Sequence, residues 1–409
     1  MRRVVVTGMG VVSPLGIGVE ALMEGLMANR SGISRLEVLE GIGGLRPRLG
    51  GVVKGCDGVH IPRKYRRSMT AMSIFAAVAA SEALAQAGVD YERLSHSRTG
   101  LCVGSTLGSA NALQTFFEQY LPATSIESIR STEFFKIMNH TCAANLAQYL
   151  GVTGRVVAPS AACCTGCQTV GLAAEFIASG KQDLMLCGGA EELHPLAVGT
   201  FDILQAASTG FNENPESSPR PFDDARDGIV CAEGAGILVL EALDSALARG
   251  ATVLGEVAGF ASTADPGNPA SPSPQAIAVC MRAALDDAGI APADVSYVNA
   301  HATGTVLGDA AEAEAIGEVF GAGPLVSSLK GHLGHTMAAS GTIEIAACLE
   351  MMRSGVIVPT RNILTSSCAC KLRLALTAER MSFTVCLKNN FALGGVNTAI
   401  VLRKHNDEQ

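Results

Sequence analysis

Residues 160–189 read SAACCTGCQTVGLAAEFIASGKQDLMLCGG. Small residues and three thiols, Cys163, Cys164 and Cys167, lead into an apolar helix predicted over 170–179. After a short polar turn an apolar strand follows over 183–187 and is expected to stop at Gly188-Gly189. A helix feeding a buried strand is the repeating unit of an α/β protein. The alternation continues on both sides: strands over 4–6, 99–103 and 234–240, and helices over 73–87 and after Ala110.

A second series begins at the strand 252–257. It passes through a proline-rich loop, Asp265 to Pro274, a helix over 275–288 and a strand over 296–299, and closes with a strand over 397–402. Each series has an opening strand, a long excursion, a strand delivering a reactive residue and a closing strand, without an exact repeat of sequence. A chain of 409 residues exceeds what one hydrophobic core usually serves. We therefore expect two similar halves, residues 1–250 with the reactive cysteine and residues 251–409 with two reactive histidines.

The composition suits a densely packed enzyme: 48% hydrophobic, 17% charged, 45 glycines and no tryptophan. A formal net charge of -8 argues against nucleic acid as a partner, since phosphate binding needs a basic surface. The opening MRRVVVTGMGVVSPLG is too short, β-branched and glycine-broken for a secretion signal and reads as a buried strand and turn. No stretch approaches a membrane span. The thirteen cysteines are scattered through apolar runs, which points to a reducing cytoplasm. Cys368 and Cys370 lack the second pair a metal site needs, so no metal is expected.

Three segments carry chemistry. Cys163 stands at the start of a helix, where unpaired N–H groups and the helix dipole favour thiolate over thiol, as a nucleophile for thioester exchange requires. Asn299-Ala300-His301-Ala302-Thr303-Gly304-Thr305 ends a strand in a histidine followed by small and hydroxylated residues. His335 lies in the glycine-rich turn from Ser327 to Gly341, which implies close backbone approach. The turn Asn389-Asn390-Phe391-Ala392-Leu393-Gly394-Gly395 could offer N–H donors to an oxyanion. One cysteine and two histidines at such junctions suggest acyl chemistry through a thioester.

These motifs, in this order and with Lys330 five residues before His335, resemble the β-ketoacyl-acyl-carrier-protein synthases I and II, over nearly the whole chain. The resemblance implies the thiolase fold, a duplicated five-layer αβαβα arrangement with two mixed sheets, and an acyltransferase of class EC 2.3.1. It implies no tightly bound cofactor and substrates carried on the phosphopantetheine of an acyl carrier protein. Cys163 would accept the acyl group, with Cys164 and Cys167 at non-nucleophilic positions. His301 and His335 would polarise the malonyl thioester and assist loss of carbon dioxide. The backbone N–H groups of Cys163 and Leu393 would hold the oxyanion, and Thr303 and Thr305 the pantetheine arm. Lys330 and Glu312 would form a buried ion pair. Leu107, at a dimer interface, and Phe201 would wall the acyl pocket, with Phe391 and Asp265 also at the substrate. Arg63, Lys64, Arg66 and Arg67 would dock the acidic carrier.

The chain also departs from the pattern. Leu393 stands where a gating phenylalanine is usual, Ala392 replaces a hinge glycine, Gln205 replaces an arginine, and the proline-rich loop is unusual. These departures point to a dedicated type II polyketide or polyene pathway rather than housekeeping fatty-acid elongation. The assembly is expected to be a homodimer, or a heterodimer with a chain-length-factor-like subunit. Cys163 argues against the chain itself being a non-catalytic chain-length factor. A degradative thiolase would carry a Cys-x-Gly-x-Gly turn near its end, and Cys386 is followed by Leu387-Lys388. Starter-unit synthases have asparagine where this chain has His335.

Overall fold

The computed structural model describes residues 1–405, so the last four residues of the expected 251–409 half lie outside it. Five strands of the first series are β1 (Val4–Ser13), β2 (Thr99–Gly104), β3 (Val156–Val157), β4 (Leu184–Glu191) and β5 (Gly234–Ala242). Those of the second are β6 (Gly255–Ala264), β7 (Tyr297–Asn299), β8 (Leu325–Ser327), β9 (Val385–Phe391) and β10 (Val396–Arg403). The first group is ordered β3-β2-β4-β5-β1 and the second β8-β7-β9-β10-β6. The directions match as well: β2 is parallel to both neighbours, as is β7, and the pairs β4–β5, β5–β1, β9–β10 and β10–β6 are antiparallel. The loose recurrence in sequence is thus a strand-for-strand repeat in space.

The two mixed sheets are joined edge to edge. Val5 pairs with Glu256 and Val6 with Gly255, which makes one continuous 12-stranded sheet. Helices α1 (Ala71–Ala87) and α2 (Thr141–Leu150) cover the outer face of the first half, and α4 (Pro274–Ala288) and α5 (Val306–Phe320) that of the second. Helices α3 (Thr165–Ala178) and α6 (Ser340–Ser354) lie between the halves and touch strands of both. With two covered faces, β1, β4 and β5 are buried at every position, which explains their unbroken apolar runs.

Glycine marks where helices press closest. A Cβ on Gly10 of β1 would sit 1.8 Å from the Ala79 carbonyl of α1, and one on Gly259 of β6 would sit 2.4 Å from the Ala284 carbonyl of α4. The expectation that β4 stops at Gly188-Gly189 is corrected: the strand continues to Glu191. The glycines there make room, because a Cβ on Gly188 would meet the Gly236 carbonyl and one on Gly189 the Ala338 carbonyl, both at 2.0 Å. At the centre, a Cβ on Gly341 would lie 2.4 Å from Cys167 N, and one on Gly166 would lie 2.8 Å from the Ala338 carbonyl. The two middle helices therefore meet backbone to backbone.

The expected ion pair of Lys330 with Glu312 is also corrected. Lys330 Nζ lies 2.6 Å from Glu344 Oε1, and Lys388 Nζ lies 2.7 Å from Glu344 Oε2, all three side chains being buried. Glu312 is occupied elsewhere, accepting from the backbone N–H groups of His301 and Ala302. Burial works against the Glu344 charge, but the two ammonium groups outweigh it and hold the carboxyl below the usual range.

Two substitutions test these contacts. Gly341→Ala should destabilise the protein by at least about 1–3 kcal/mol through overpacking, while Gly43→Ala, whose Cβ would meet nothing within 4 Å, should leave the urea midpoint unchanged. Equal midpoints would remove the close-approach explanation. Glu344→Ala should cost about 3–5 kcal/mol by leaving buried ammonium groups without their carboxylate, read by the same unfolding curves.

Candidate active site

Cys163 lies in the single 3-10 turn Ala162–Cys164 that opens α3, and Ala162 before it has φ 47. In the other half the turn Met337–Ala339 opens α6, and Met337 has φ 49. A positive φ at a residue with a side chain costs about 1–3 kcal/mol and persists where the surroundings over-determine it. Each half thus places a strained turn at the mouth of its central helix, one carrying the sulfur and the other following His335. The His335 backbone is locked to a neighbouring segment, its N–H donating to Val230 O (2.8 Å) and its carbonyl accepting from Ala232 N (2.9 Å). The result is a 2.9 Å contact between His335 Nε2 and Cys163 Sγ.

His301 follows the end of β7. Glu312 Oε1 accepts from its N–H at 2.8 Å and Oε2 from that of Ala302 at 2.7 Å. Asp309, one turn earlier on α5, accepts from the N–H groups of Thr303 (3.0 Å) and Gly304 (3.1 Å). Two acids at i and i+3 share a helix face, and together they fix the 301–305 loop. The His301 ring stands edge to face against His335 and Phe391, with centroids 5.2 and 5.5 Å apart.

These groups meet in a cavity of about 230 Å³ lined by Cys163, His301, His335, Thr303, Thr305, Phe201, Phe391, Leu393 and Asp265. Burial pushes the Cys163 thiol up to about 12, against the opposing effects of Lys330 and of the nearby backbone N–H groups of Leu393 and Cys163. Both histidines are held well below the ordinary imidazole range, first by burial and then by Lys330. This desolvation opposes the expected dipole-stabilised thiolate and favours a neutral thiol beside a neutral imidazole. Cys163 Sγ and one nitrogen of each histidine lie within 4.8 Å of one another, so three metal-ligating atoms converge here. A tetrahedral zinc site with bonds of about 2.0–2.3 Å would set sulfur and nitrogen about 3.5 Å apart. The 2.9 Å contact of Cys163 with His335 is shorter, the length of a hydrogen bond, and suits proton exchange.

Other expected site residues fall elsewhere. Lys330 lies buried beneath the histidines, and Leu107 is half-buried outside the cavity lining. Arg63, Lys64, Arg66 and Arg67 are on and just after a short helix (Arg63–Arg66), also outside the lining. The Asp265 carboxylate accepts from the N–H groups of Gly267 and Ser273 and shapes its own loop. Sequence reading missed Glu344, Asp309 and Lys388. An acid flanked by isoleucines in the apolar run of α6 was a readable signal of a buried base nearby, as was an acid pair at i and i+3 after the His301 loop.

Residues 1–246 match the family described as beta-ketoacyl synthase, N-terminal domain, and residues 254–364 the one described as beta-ketoacyl synthase, C-terminal domain. The chain is 33% identical to 3-oxoacyl-[acyl-carrier-protein] synthase 1 of Haemophilus influenzae, over 99% of this chain and 100% of that one. Among solved structures, a beta-ketoacyl synthase from Burkholderia phymatum superposes with a TM-score of 0.96 at 39% identity, covering 99% of this chain and 100% of that one. The ishigamide ketosynthase/chain length factor gives 0.91 at 31%, with the same coverage. A ketosynthase of a type II PKS, bound to its acyl-carrier protein and to the hexaketide, gives 0.90 at 30%, again with that coverage. Matched in both halves and over its full described fold, the chain belongs to the β-ketoacyl synthase family and is an acyltransferase of the 3-oxoacyl-[acyl-carrier-protein] synthase kind.

Proposed function

We propose that the chain is the ketosynthase of a type II polyketide or polyene system, joining a malonyl unit to an acyl group on Cys163 by decarboxylative Claisen condensation. The observation that carries this reading is the 2.9 Å contact of His335 Nε2 with Cys163 Sγ in a cavity that also holds His301. In the first half-reaction the thiol proton passes to His335 as sulfur attacks the acyl thioester. The oxyanion sits on the N–H groups of Cys163 and Leu393, each donor contributing about 3 to 4 kcal/mol. Carrier thiol leaves with the proton. In the second, both histidines donate to the malonyl thioester oxygen while the bond to the carboxylate breaks and carbon dioxide departs. The resulting enolate carbon attacks the Cys163 thioester and expels the cysteine sulfur as thiolate, which takes a proton from water to restore the thiol. Neutral histidines suit this step, since each offers one N–H without adding a charge.

No cofactor enters these steps, and the substrates arrive on the phosphopantetheine of an acyl carrier protein, its arm held by Thr303 and Thr305. Carrier docking is assigned to Arg63, Lys64, Arg66 and Arg67, which have no ion-pair partner among the described residues. We read the assembly as a homodimer or a heterodimer with a chain-length-factor-like subunit, with Leu107 walling the acyl pocket at that interface. The halves divide at residue 250, in the link between β5 and β6. Thirteen free thiols suit the cytoplasm, and no helix among the described residues is long and apolar enough to cross a membrane.

Leu393, 41% exposed at the cavity, and the non-glycine Ala392 favour the polyketide setting. The full-length match to a 3-oxoacyl-[acyl-carrier-protein] synthase 1 favours a second reading, housekeeping fatty-acid elongation. Intact masses of carrier-bound products made from malonyl-carrier and acyl donors of several lengths separate the two.

Replacing Cys163 with Ala should abolish acyl-enzyme formation, whereas Cys164→Ala should retain it; a mass label on Cys164 or Cys167 would refute the assignment. His301→Ala should still self-acylate but fail to release carbon dioxide from malonyl-carrier, whereas His335→Ala should lose carbon dioxide release and also self-acylate more slowly, because the Cys163 proton then lacks its acceptor. With its thiol pushed up to about 12, Cys163 should be alkylated by iodoacetamide at a rate rising about tenfold per pH unit from pH 6 to 9, because thiolate fraction grows tenfold per unit below the pKa. A plateau below pH 8 would show a resting thiolate instead.

A further inference from the structure

Cys164 and Cys167 have no part in the chemistry above, yet both thiols are buried beside the site and aimed at one residue. Cys164 Sγ lies 3.1 Å from the Asn390 carbonyl and 3.1 Å from that of Val396. Cys167 Sγ lies 3.0 Å from Asn390 Oδ1. Asn390 is fully buried at the end of β9, and its Nδ2 stands 3.2 Å from His301 Nδ1. A continuous path therefore runs from the second turn of the Cys163 helix, through one side-chain amide, to the ring of His301.

We propose that Asn390 is a positioning residue that holds His301 in the Nε2–H tautomer, and that the Cys167 thiol sets the direction of its amide. A neutral imidazole carries one proton, and the nitrogen that accepts a hydrogen bond is the one without it. The amide can face His301 with its NH₂ or with its oxygen. The thiol decides between them, because S–H is a donor and sulfur only a weak acceptor. Oδ1 turned to Cys167 makes a satisfied contact at 3.0 Å, whereas NH₂ turned there would set a donor against a donor. With Oδ1 so held, Nδ2 donates to His301 Nδ1, and the proton resides on Nε2, the nitrogen left for the cavity.

The consequence follows from charge. A thioester oxygen becoming an enolate needs a donor; a bare Nε2 lone pair would repel it. His335 has no such arrangement, since its Nδ1 is without a hydrogen-bond partner among the described residues. While Cys163 is a thiol its S–H donates to His335 Nε2 and leaves the proton on Nδ1; once the sulfur is acylated that donor is gone and the His335 tautomer can exchange, whereas that of His301 stays fixed. The catalytic consequence rests on the proposed condensation; the tautomer does not.

The test uses full-length protein labelled with ¹⁵N-histidine and a long-range ¹H–¹⁵N correlation spectrum without substrate, with the His301 signals assigned from their loss in His301→Ala. Wild type should show the Nε2–H pattern from pH 6 to 8. Asn390→Asp presents an acceptor to Nδ1, so the pattern should move to Nδ1–H or to imidazolium, with malonyl decarboxylation down about 100-fold and self-acylation within about threefold. Cys167→Ser keeps a donor and should keep the wild-type pattern; Cys167→Ala should give a mixture. This pair carries the test should Asn390→Asp fail to fold. An Nδ1–H pattern in wild type, or identical His301 spectra in Cys167→Ser and Cys167→Ala, overturns the proposal. Absent decarboxylation in wild type with the Nε2–H pattern intact would count against the proposed reaction and support the tautomer.

Discussion

The contact between α3 and α6 is the constraint from which the rest of the structure follows. Gly166 and Gly341 let the two helices touch through their backbones, so the turns that open them face each other. One turn carries Cys163 and the other follows His335. A single methyl group at either glycine would occupy space already filled by backbone, and protein interiors do not yield easily to such insertion. The repeated strand order on either side supplies two matching frames for those helices. Duplication thus brings like turns together, and substitution has given them unlike reactive groups.

Around that contact the site is neutral where it meets the cavity and charged one layer beneath. The Cys163 thiol and both imidazoles are kept uncharged chiefly by burial. Below them Lys330, Glu344 and Lys388 form a buried cluster with an excess of positive charge. The arrangement reinforces itself, since fixed ammonium groups nearby further disfavour protonation of the histidines. A helix dipole adds about 0.3–1 kcal/mol near a terminus, rarely more than about 2. Full desolvation of a thiolate costs more, which is why the first turn of α3 does not by itself produce a resting anion.

Polar groups of the framework are assigned with little redundancy. Glu312 and Asp309 spend their oxygens on backbone N–H groups of the His301 loop. Asp265 does the same for its own loop, where Gly395, at φ 79, approaches so closely that a Cβ would lie 2.3 Å from the Asp265 carbonyl. Carboxylates here act as templates for loops, and the loops present the histidine and the Leu393 N–H to the cavity.

The amino-acid sequence by itself determined the α/β class and the two series of elements, because apolar periodicity is a local property, and it offered Cys163, His301 and His335 as candidates through the order of their motifs. Helices over 73–87 and 275–288 emerged within two residues of their expected ends. Partners of buried charge were not legible in this way. Lys330 could be assigned to Glu312 or Glu344 only by knowing which carboxylate had oxygens left over, and backbone N–H groups from another element decide that. The run through Gly188-Gly189 looked like a strand end, since a glycine's reason there lies in the Gly236 and Ala338 carbonyls far along the chain. The ionisation of Cys163 likewise depended on total burial, a sum over both halves that no single segment contains. Local pattern set the elements; desolvation and close contact between distant segments decided the pairings and the charge state.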